Sequence, residues 1–246
     1  MNTTDGIVEH NLEVTSNGHR VPAVLWLPVE AEPPLPLVLV GHGGGGHKKA
    51  APVVSMAQGL IQEHGIAALA IDGPVNGDRD ANSESARQIR QQDRHEYRRL
   101  YYQEKYDEMV QDWRDALTAA QSRPEVGSGP VGYWGLSMGT RFGVPLIAAE
   151  PRIQAAVIGL FGYREGSPVN QRVYDDIGKV RIPVLFLQQL DDDEVSQDAY
   201  WALFRRIGTA DKRLHANPGK HAAVPQSERE ASRLFLARKL KARRHD

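Results

Sequence analysis

Gly135-Leu136-Ser137-Met138-Gly139 sets a serine between two glycines, directly after the apolar run Val131 to Trp134. Small residues on both sides let a strand turn sharply into a helix, which lifts the serine hydroxyl above the sheet where a base and a substrate can reach it. A serine hydroxyl is a weak nucleophile, so it needs a base, and the base needs an orienting carboxylate. Three histidines follow the serine: His215, His221 and His245. His245 lies in a basic tail and His215 inside a short strand. His221 instead follows Asn217-Pro218-Gly219-Lys220, a loop after the last strand, and is the expected base. The acid is expected in Asp191-Asp192-Asp193-Glu194, after the apolar run Val184 to Leu187. Neighbouring loop residues point in different directions, so only one carboxylate can face the histidine. Asp192 is the choice, with Asp191 and Asp193 as competitors. The run has no calcium-loop spacing and no histidine ligand nearby, so no metal is expected there.

A second cluster, Gly41-His42-Gly43-Gly44-Gly45-Gly46-His47, follows the apolar run Leu37 to Val40. Acyl transfer needs two backbone N–H groups aimed at the developing oxyanion, and bare glycine backbone lets a substrate come close. Gly44 N–H with Met138 N–H would make that pair. His42 and Gly43 in this loop, with Tyr101 and Phe161 in two polar stretches described below, are the expected substrate contacts. The run also matches G-x-G-x-x-G after a strand, with Asp72 ending the next strand, as in a dinucleotide fingerprint. It nearly matches a phosphate-binding P-loop too, but His47 stands where the lysine must be. A nucleotide-dependent oxidoreductase is therefore one alternative, and a non-catalytic ligand-binding protein on the same fold is another. Serine, acid and histidine in the right order downstream favour the hydrolase, with no cofactor expected.

The elements that must hold these groups follow from periodicity. Ile7 to Val14 and Val21 to Leu27 read as strands around the turn Asn17-Gly18. Short continuous apolar runs at Leu37 to Val40 and Ile66 to Ile71 suit strands buried on both faces. A helix opening near Pro52 and stopped by Gly65 lies between them. Helices carrying Met109 to Ala120, Gly139 to Glu150 (despite Pro145) and Ser196 to Ile207 alternate with strands at Val131 to Trp134, Ala155 to Gly159, Pro183 to Gln188 and Arg213 to Ala216. Ser227 and Glu230 are spaced as a capping box for a closing helix with Ala231, Leu234 and Phe235 inward. The alternation predicts one α/β domain over residues 1–246, with a mostly parallel central sheet and helices on both faces. Two stretches break the rhythm as cap or insert elements: 83–106, where arginines alternate with Tyr97, Tyr101, Tyr102 and Tyr106, and 161–179.

Composition narrows the chemistry. The 246 residues include no cysteine, which excludes disulfides, thiolate metal sites and a cysteine nucleophile. A formal charge of −1 gives no electropositive surface for nucleic acid or anionic membrane. The start has no basic and apolar leader pattern and no run is long enough to span a bilayer, so a soluble, cytoplasmic protein is expected. The partner would be a small-molecule ester; a homo-oligomer is compatible with the sequence.

With these residues in hand, the chain resembles the α/β-hydrolase superfamily, and within it compact members akin to dienelactone hydrolases and small serine esterases. The resemblance runs over nearly the whole chain: HGGGG, IDGPVNGDR, GLSMG, FLQQLDDDEV and PGKH. In these relatives the acid strand commonly reads into H-G-x-x-D-x-x-V. Here Gln188 and Gln189 replace the first two residues, while Asp192 and Val195 hold the matching places. The resemblance implies Ser137 as nucleophile, Asp192 as acid, His221 as base, and Gly44 and Met138 as oxyanion donors. Dienelactone hydrolases proper carry cysteine at the elbow; Ser137 makes a serine carboxylesterase, working through an acyl-enzyme, the expected activity.

Overall fold

The computed structural model describes residues 2–30, 32–79 and 83–241. Among the described residues nine strands form one sheet in the order β1-β2-β3-β5-β4-β6-β7-β8-β9. The edge strand β1 (Asn2–Thr4), β2 (Ile7–Ser16) and β3 (His19–Pro28) are antiparallel, with Asn17 and Gly18 both at positive φ in the tight turn between β2 and β3. The rest run parallel: β4 (Leu37–Gly41), β5 (Ala67–Ile71), β6 (Val131–Leu136), β7 (Ile153–Gly159), β8 (Val184–Gln189) and β9 (Lys212–Asn217).

Both faces of the parallel part are covered, which is why its strands read as unbroken apolar runs. Leu37, Leu39, Tyr133 and Phe186 point to one core, shared with α4 (Tyr106–Gln121), α5 (Met138–Ala149), α6 (Pro168–Ile177) and α7 (Gln197–Arg206). Val38, Val40, Trp134 and Leu185 point to the other, with α1 (Ala51–His64) and α8 (Gln226–Lys241). Gly65 ends α1 in the left-handed conformation (φ 61°), its N–H returning to the Ile61 carbonyl. The chain passes from β4 to β5 on one side, then crosses to β6 on the other side of β4. The carboxyl ends of β4 and β6 are thus a topological switch point, the place where an open α/β sheet leaves a crevice.

Three local expectations change. The closing helix starts at Gln226, so Ser227 lies in its first turn and does not cap it. Leu234 is 41% exposed, while Arg233 and Leu236 are buried. The register of α8 is set by polar anchors: Arg233 forks onto Glu63 of α1 (2.8 and 2.6 Å), and Glu228 meets His215 of β9 (2.9 Å). Gly59 makes room, since a Cβ there would fall 2.5 Å from Arg233 Nε. The stretch 83–106 is helical: α2 (Ser83–Gln92), α3 (Arg94–Arg98) and a π-helical turn at Arg99–Gln103 that feeds α4. Asp93 caps α3, its side chain accepting the N–H groups of His95 and Glu96. The 161–179 stretch is a turn leading into α6. Arg243, Arg244 and His245 lie outside the described residues.

One buried carboxylate ties helices to the sheet and carries a pH dependence. Glu150, at the end of α5, accepts from Arg152 Nε and Nη2 (2.8 Å each), the Arg152 N–H (3.0 Å) and Arg114 Nε of α4 (3.2 Å). Burial alone would raise its carboxyl, but the Arg152 and Arg114 hydrogen bonds outweigh this and hold it at about 2. A depressed folded value means the contribution is complete above the ordinary 4.5 and is lost as pH falls toward 2. The expected loss over that window is about 3 kcal/mol. Urea unfolding between pH 5 and pH 2 should show that fall, and Glu150→Gln should flatten it.

Candidate active site

The switch-point crevice is built from glycines and one tyrosine. In the register of β4 and β6, Gly41 sits beside Gly135. The Tyr133 ring lies beneath them, its hydroxyl donating to the Gly139 carbonyl (2.6 Å). A Cβ at Gly135 would fall 2.6 Å from that hydroxyl, and one at Gly139 would fall 2.9 Å from the Gly41 carbonyl oxygen. Between these glycines Ser137 takes φ 57° and ψ −113°, a conformation that costs a non-glycine residue about 1–3 kcal/mol. It is held there from both sides: its N–H donates to Gly159 O of β7 (2.9 Å) and its carbonyl accepts the Arg141 N–H (3.0 Å). Thr140 Oγ1 braces the same turn, accepting from the Gly159 N–H (2.8 Å) and lying 2.9 Å from Gly135 O.

Above the serine, side chains from three loops converge. Ser137 Oγ lies 3.0 Å from His221 Nε2, and His221 Nδ1 lies 2.8 Å from Asp192 Oδ2. The Nδ1–H donates to the carboxylate, which leaves Nε2 to accept the serine proton. The Asp192 side chain is fully enclosed. Its Oδ1 takes the N–H groups of Glu194 (2.7 Å) and Val195 (2.9 Å), and its Oδ2 also accepts from the Tyr200 hydroxyl. Burial alone would raise this carboxyl, but Tyr200 and the other donors hold it below the usual carboxylate range.

The competing carboxylates have other work. Asp191 Oδ2 accepts the Gly219 N–H (2.9 Å), and Asp193 Oδ1 lies 3.4 Å from the His221 N–H, so both secure the backbone of the histidine loop. Gln189 does the same from β8, its Nε2 reaching the carbonyls of Pro218 (3.3 Å), Lys220 (3.2 Å) and Ala223 (3.0 Å). Sequence reasoning passed over Gln189 and Tyr200. The signal for Gln189 was present: a glutamine replaces the second residue of the H-G pair, and a longer side chain there can reach the neighbouring loop. His215, on the edge strand and bound to Glu228, takes no part in the cluster.

The glycine loop is clamped at both ends. His42 is 5% exposed, its Nδ1–H donating to Gly43 O (2.9 Å) and its Nε2 accepting the Gly73 N–H (2.8 Å). Burial pushes its imidazole down, which keeps it in this neutral tautomer. Both ring nitrogens of His42, expected to meet the substrate, are thus taken by backbone groups. At the other end Asp72 accepts the Lys48 N–H (2.8 Å) and, through Oδ2, Lys48 Nζ (2.7 Å), while Nζ also reaches Asp78 (2.6 Å). Between the clamps, Gly43 and Gly44 are exposed, with nothing within 4 Å of where a Cβ would stand. Met138 opens α5 beside the serine, at a helix position whose N–H has no intrahelical partner.

Two further expectations can be placed. Phe161 is buried just past β7, with the Arg141 guanidinium 5.1 Å from its ring, and Tyr101 packs on Tyr97 (5.1 Å) in the helical insert. The dinucleotide reading does not match the geometry. Asp72 is buried under Lys48, and α1 starts at Ala51, so the glycines do not run directly into a helix N-terminus. Among the described residues, His19, Glu108 and Asp112 bring ligand-type atoms within 4.8 Å of one another, but Arg79 already pairs with Asp112 (2.6 Å) and Glu108 (3.0 Å).

Comparison with known proteins agrees with this architecture. The sequence profile of the dienelactone hydrolase family matches residues 21–230. No curated protein matches the chain by sequence. A cold-adapted esterase from an Arctic intertidal metagenomic library, solved in complex with polyethylene glycol, is 34% identical with a TM-score of 0.83, over 97% of each chain. A dienelactone hydrolase from Anabaena variabilis shares the fold at 19% identity and a TM-score of 0.68, over 96% of this chain and 98% of that one. An acetyl xylan esterase from Paenibacillus sp. R4 does so at 16% identity and 0.72, over 96% and 85%. Among the described residues no helix is long and apolar enough to cross a membrane.

Proposed function

The chain belongs to the dienelactone hydrolase family and is a hydrolase acting on ester bonds, and from that premise we propose that it is a serine carboxylesterase working through a Ser137–His221–Asp192 triad. The observation that carries the reading is the unbroken path from Ser137 Oγ through His221 (3.0 Å) to Asp192 (2.8 Å). Ser137 Oγ gives its proton to His221 Nε2 and attacks the carbonyl carbon of the ester. The oxygen that becomes negative is held by the N–H groups of Gly44 and Met138. Asp192 fixes the imidazole tautomer and stabilises its protonated form. Collapse breaks the bond to the alcohol oxygen, which leaves with the proton from His221. Water then gives a proton to His221, attacks the acyl-serine and releases the carboxylic acid and free Ser137. The esterase activity of the 34% identical structure supports this reading. So does the absence of any cysteine to serve instead. The proposed substrates are small-molecule esters, and a cytoplasmic location is proposed with them.

A fluorophosphonate probe tests the assignment directly. It should modify Ser137 alone, abolish p-nitrophenyl acetate turnover in proportion to labelling, and lose its target in the His221→Ala protein. Labelling at another serine, or full turnover after stoichiometric labelling, would overturn it.

A further inference from the structure

Tyr200 stands one helical turn past the cap of α7, where Ser196 Oγ accepts the Ala199 N–H. Its side chain is fully buried, with its ring edge-on to Phe186 at 6.2 Å, so packing alone accounts for an aromatic residue here. Packing does not account for the hydroxyl. That group donates to Asp192 Oδ2, the same oxygen that receives the His221 Nδ1–H. A carboxylate offers about four acceptor sites, and Asp192 uses all four: two on Oδ1 for Glu194 and Val195, two on Oδ2 for His221 and Tyr200.

We propose that Tyr200 is a positioning residue of the triad, whose hydroxyl locks the Asp192 carboxylate in the plane of the imidazole and tempers the charge that Oδ2 lends to it. This rests on the triad reading above. Without the hydroxyl, Oδ1 would still be pinned by backbone, but Oδ2 would be held by His221 alone. The carboxylate could then turn about its Cβ–Cγ bond, and its charge would fall wholly on the imidazole. Burial and the Asp192 charge push the Tyr200 phenol far up, so it stays a donor throughout the working range.

The other charged groups around the imidazole leave this relation intact. Glu194 Oε2 is exposed and 3.9 Å from His221 Nε2. Asp193 faces the His221 N–H and lies 3.8 Å from Lys220 Nζ. None of them touches Oδ2. The Tyr200 hydroxyl also meets the Gln189 backbone, and Asp192 is the triad member it touches.

The sign of the effect follows. A second donor on Oδ2 withdraws charge that would otherwise stabilise the imidazolium, so removing it favours the protonated histidine and delays its action as a base to higher pH. Tyr200→Phe deletes one oxygen and keeps the ring on Phe186. The acid limb of kcat/KM for p-nitrophenyl acetate should move up by about 0.5–1 pH unit. The plateau kcat should fall about three- to tenfold, with KM within about twofold of wild type. A 3-fluorotyrosine placed at position 200 keeps the shape of the side chain and is a stronger donor, so it should move the limb down. In an Asp192→Asn background, Tyr200→Phe should change the rate by less than about twofold. An acid limb that stays put in both Tyr200 variants, or losses that multiply in the double variant, would overturn the proposal. Ser137→Ala measured alongside separates the two readings. If it retains turnover, the triad and this proposal fall together. If it is inactive while both Tyr200 variants follow the wild-type profile, only the role of Tyr200 falls.

Discussion

Ser137→Ala should lower kcat for p-nitrophenyl esters by about 10⁴- to 10⁶-fold while leaving the fold in place. The size follows from what the substitution removes. The attacking oxygen is lost, so the acyl-enzyme cannot form, and the remaining rate comes from binding and from oxyanion donors that stabilise the oxyanion formed by direct attack of water. The stability change should stay within about 1 kcal/mol, because the hydroxyl hydrogen-bonds outward to His221 and fills no part of either core. Alanine also keeps the backbone cost at φ 57°, since it carries the same Cβ. Ser137→Gly separates catalysis from strain. It should be equally inactive yet more thermostable than the alanine variant, because glycine relieves the positive φ. A steady-state assay and a thermal melt on the two variants check both parts. Turnover within tenfold of wild type in either would remove Ser137 from the chemistry.

What could be read from the sequence is what short-range rules govern. The apolar runs Leu37 to Val40 and Val184 to Leu187 are legible as doubly buried strands because both faces of the sheet are covered, and their residues alternate between two cores. The elbow is legible because only glycine fits beside Tyr133 and the Gly41 carbonyl. The order serine, acid, histidine is legible along the chain, and the fold sets Ser137, His221 and Asp192 within hydrogen-bond distance of one another in turn. What stayed hidden depends on contacts distant in sequence. Ser227 and Glu230 have the spacing of a cap, but the Arg233–Glu63 and Glu228–His215 pairs outweigh that local signal and start α8 two residues earlier. Tyr200 reads as one more aromatic on a helix face; only the fold carries its hydroxyl to Asp192. His42 looks like a polar group free to meet a substrate until Gly73, from the end of the neighbouring strand, is seen to hold its ring. The insert 83–106 shows the same limit, because its tyrosines at 97, 101 and 102 pack as one cluster around a π-helical turn that a 3.6-residue period does not describe.

Asp192→Asn is expected to cost about 10³- to 10⁴-fold in kcat/KM near neutral pH, although it changes one oxygen to nitrogen. The reason is how the four donors around the side chain are arranged. An asparagine has one acceptor atom. If its oxygen faces the Glu194 and Val195 N–H groups, those two bonds survive and the amide nitrogen faces Tyr200 and His221. The amide N–H then donates to His221 Nδ1, so the ring proton moves to Nε2. His221 now donates to Ser137 Oγ and cannot accept from it, which removes the base without disturbing its position. The opposite flip sets the amide N–H against two backbone N–H groups in a buried site, which is the costlier arrangement. Loss of rate with a little-changed melting temperature is therefore the expected result. Asp191→Asn supplies the contrast. Asp191 uses Oδ2 for a single N–H from Gly219, and an asparagine oxygen can accept that bond unchanged. Its kcat/KM should remain within about threefold of wild type. If Asp191→Asn were the slower of the two, the acid would have to be reassigned. If both were near wild type, His221 would not depend on a carboxylate for its tautomer.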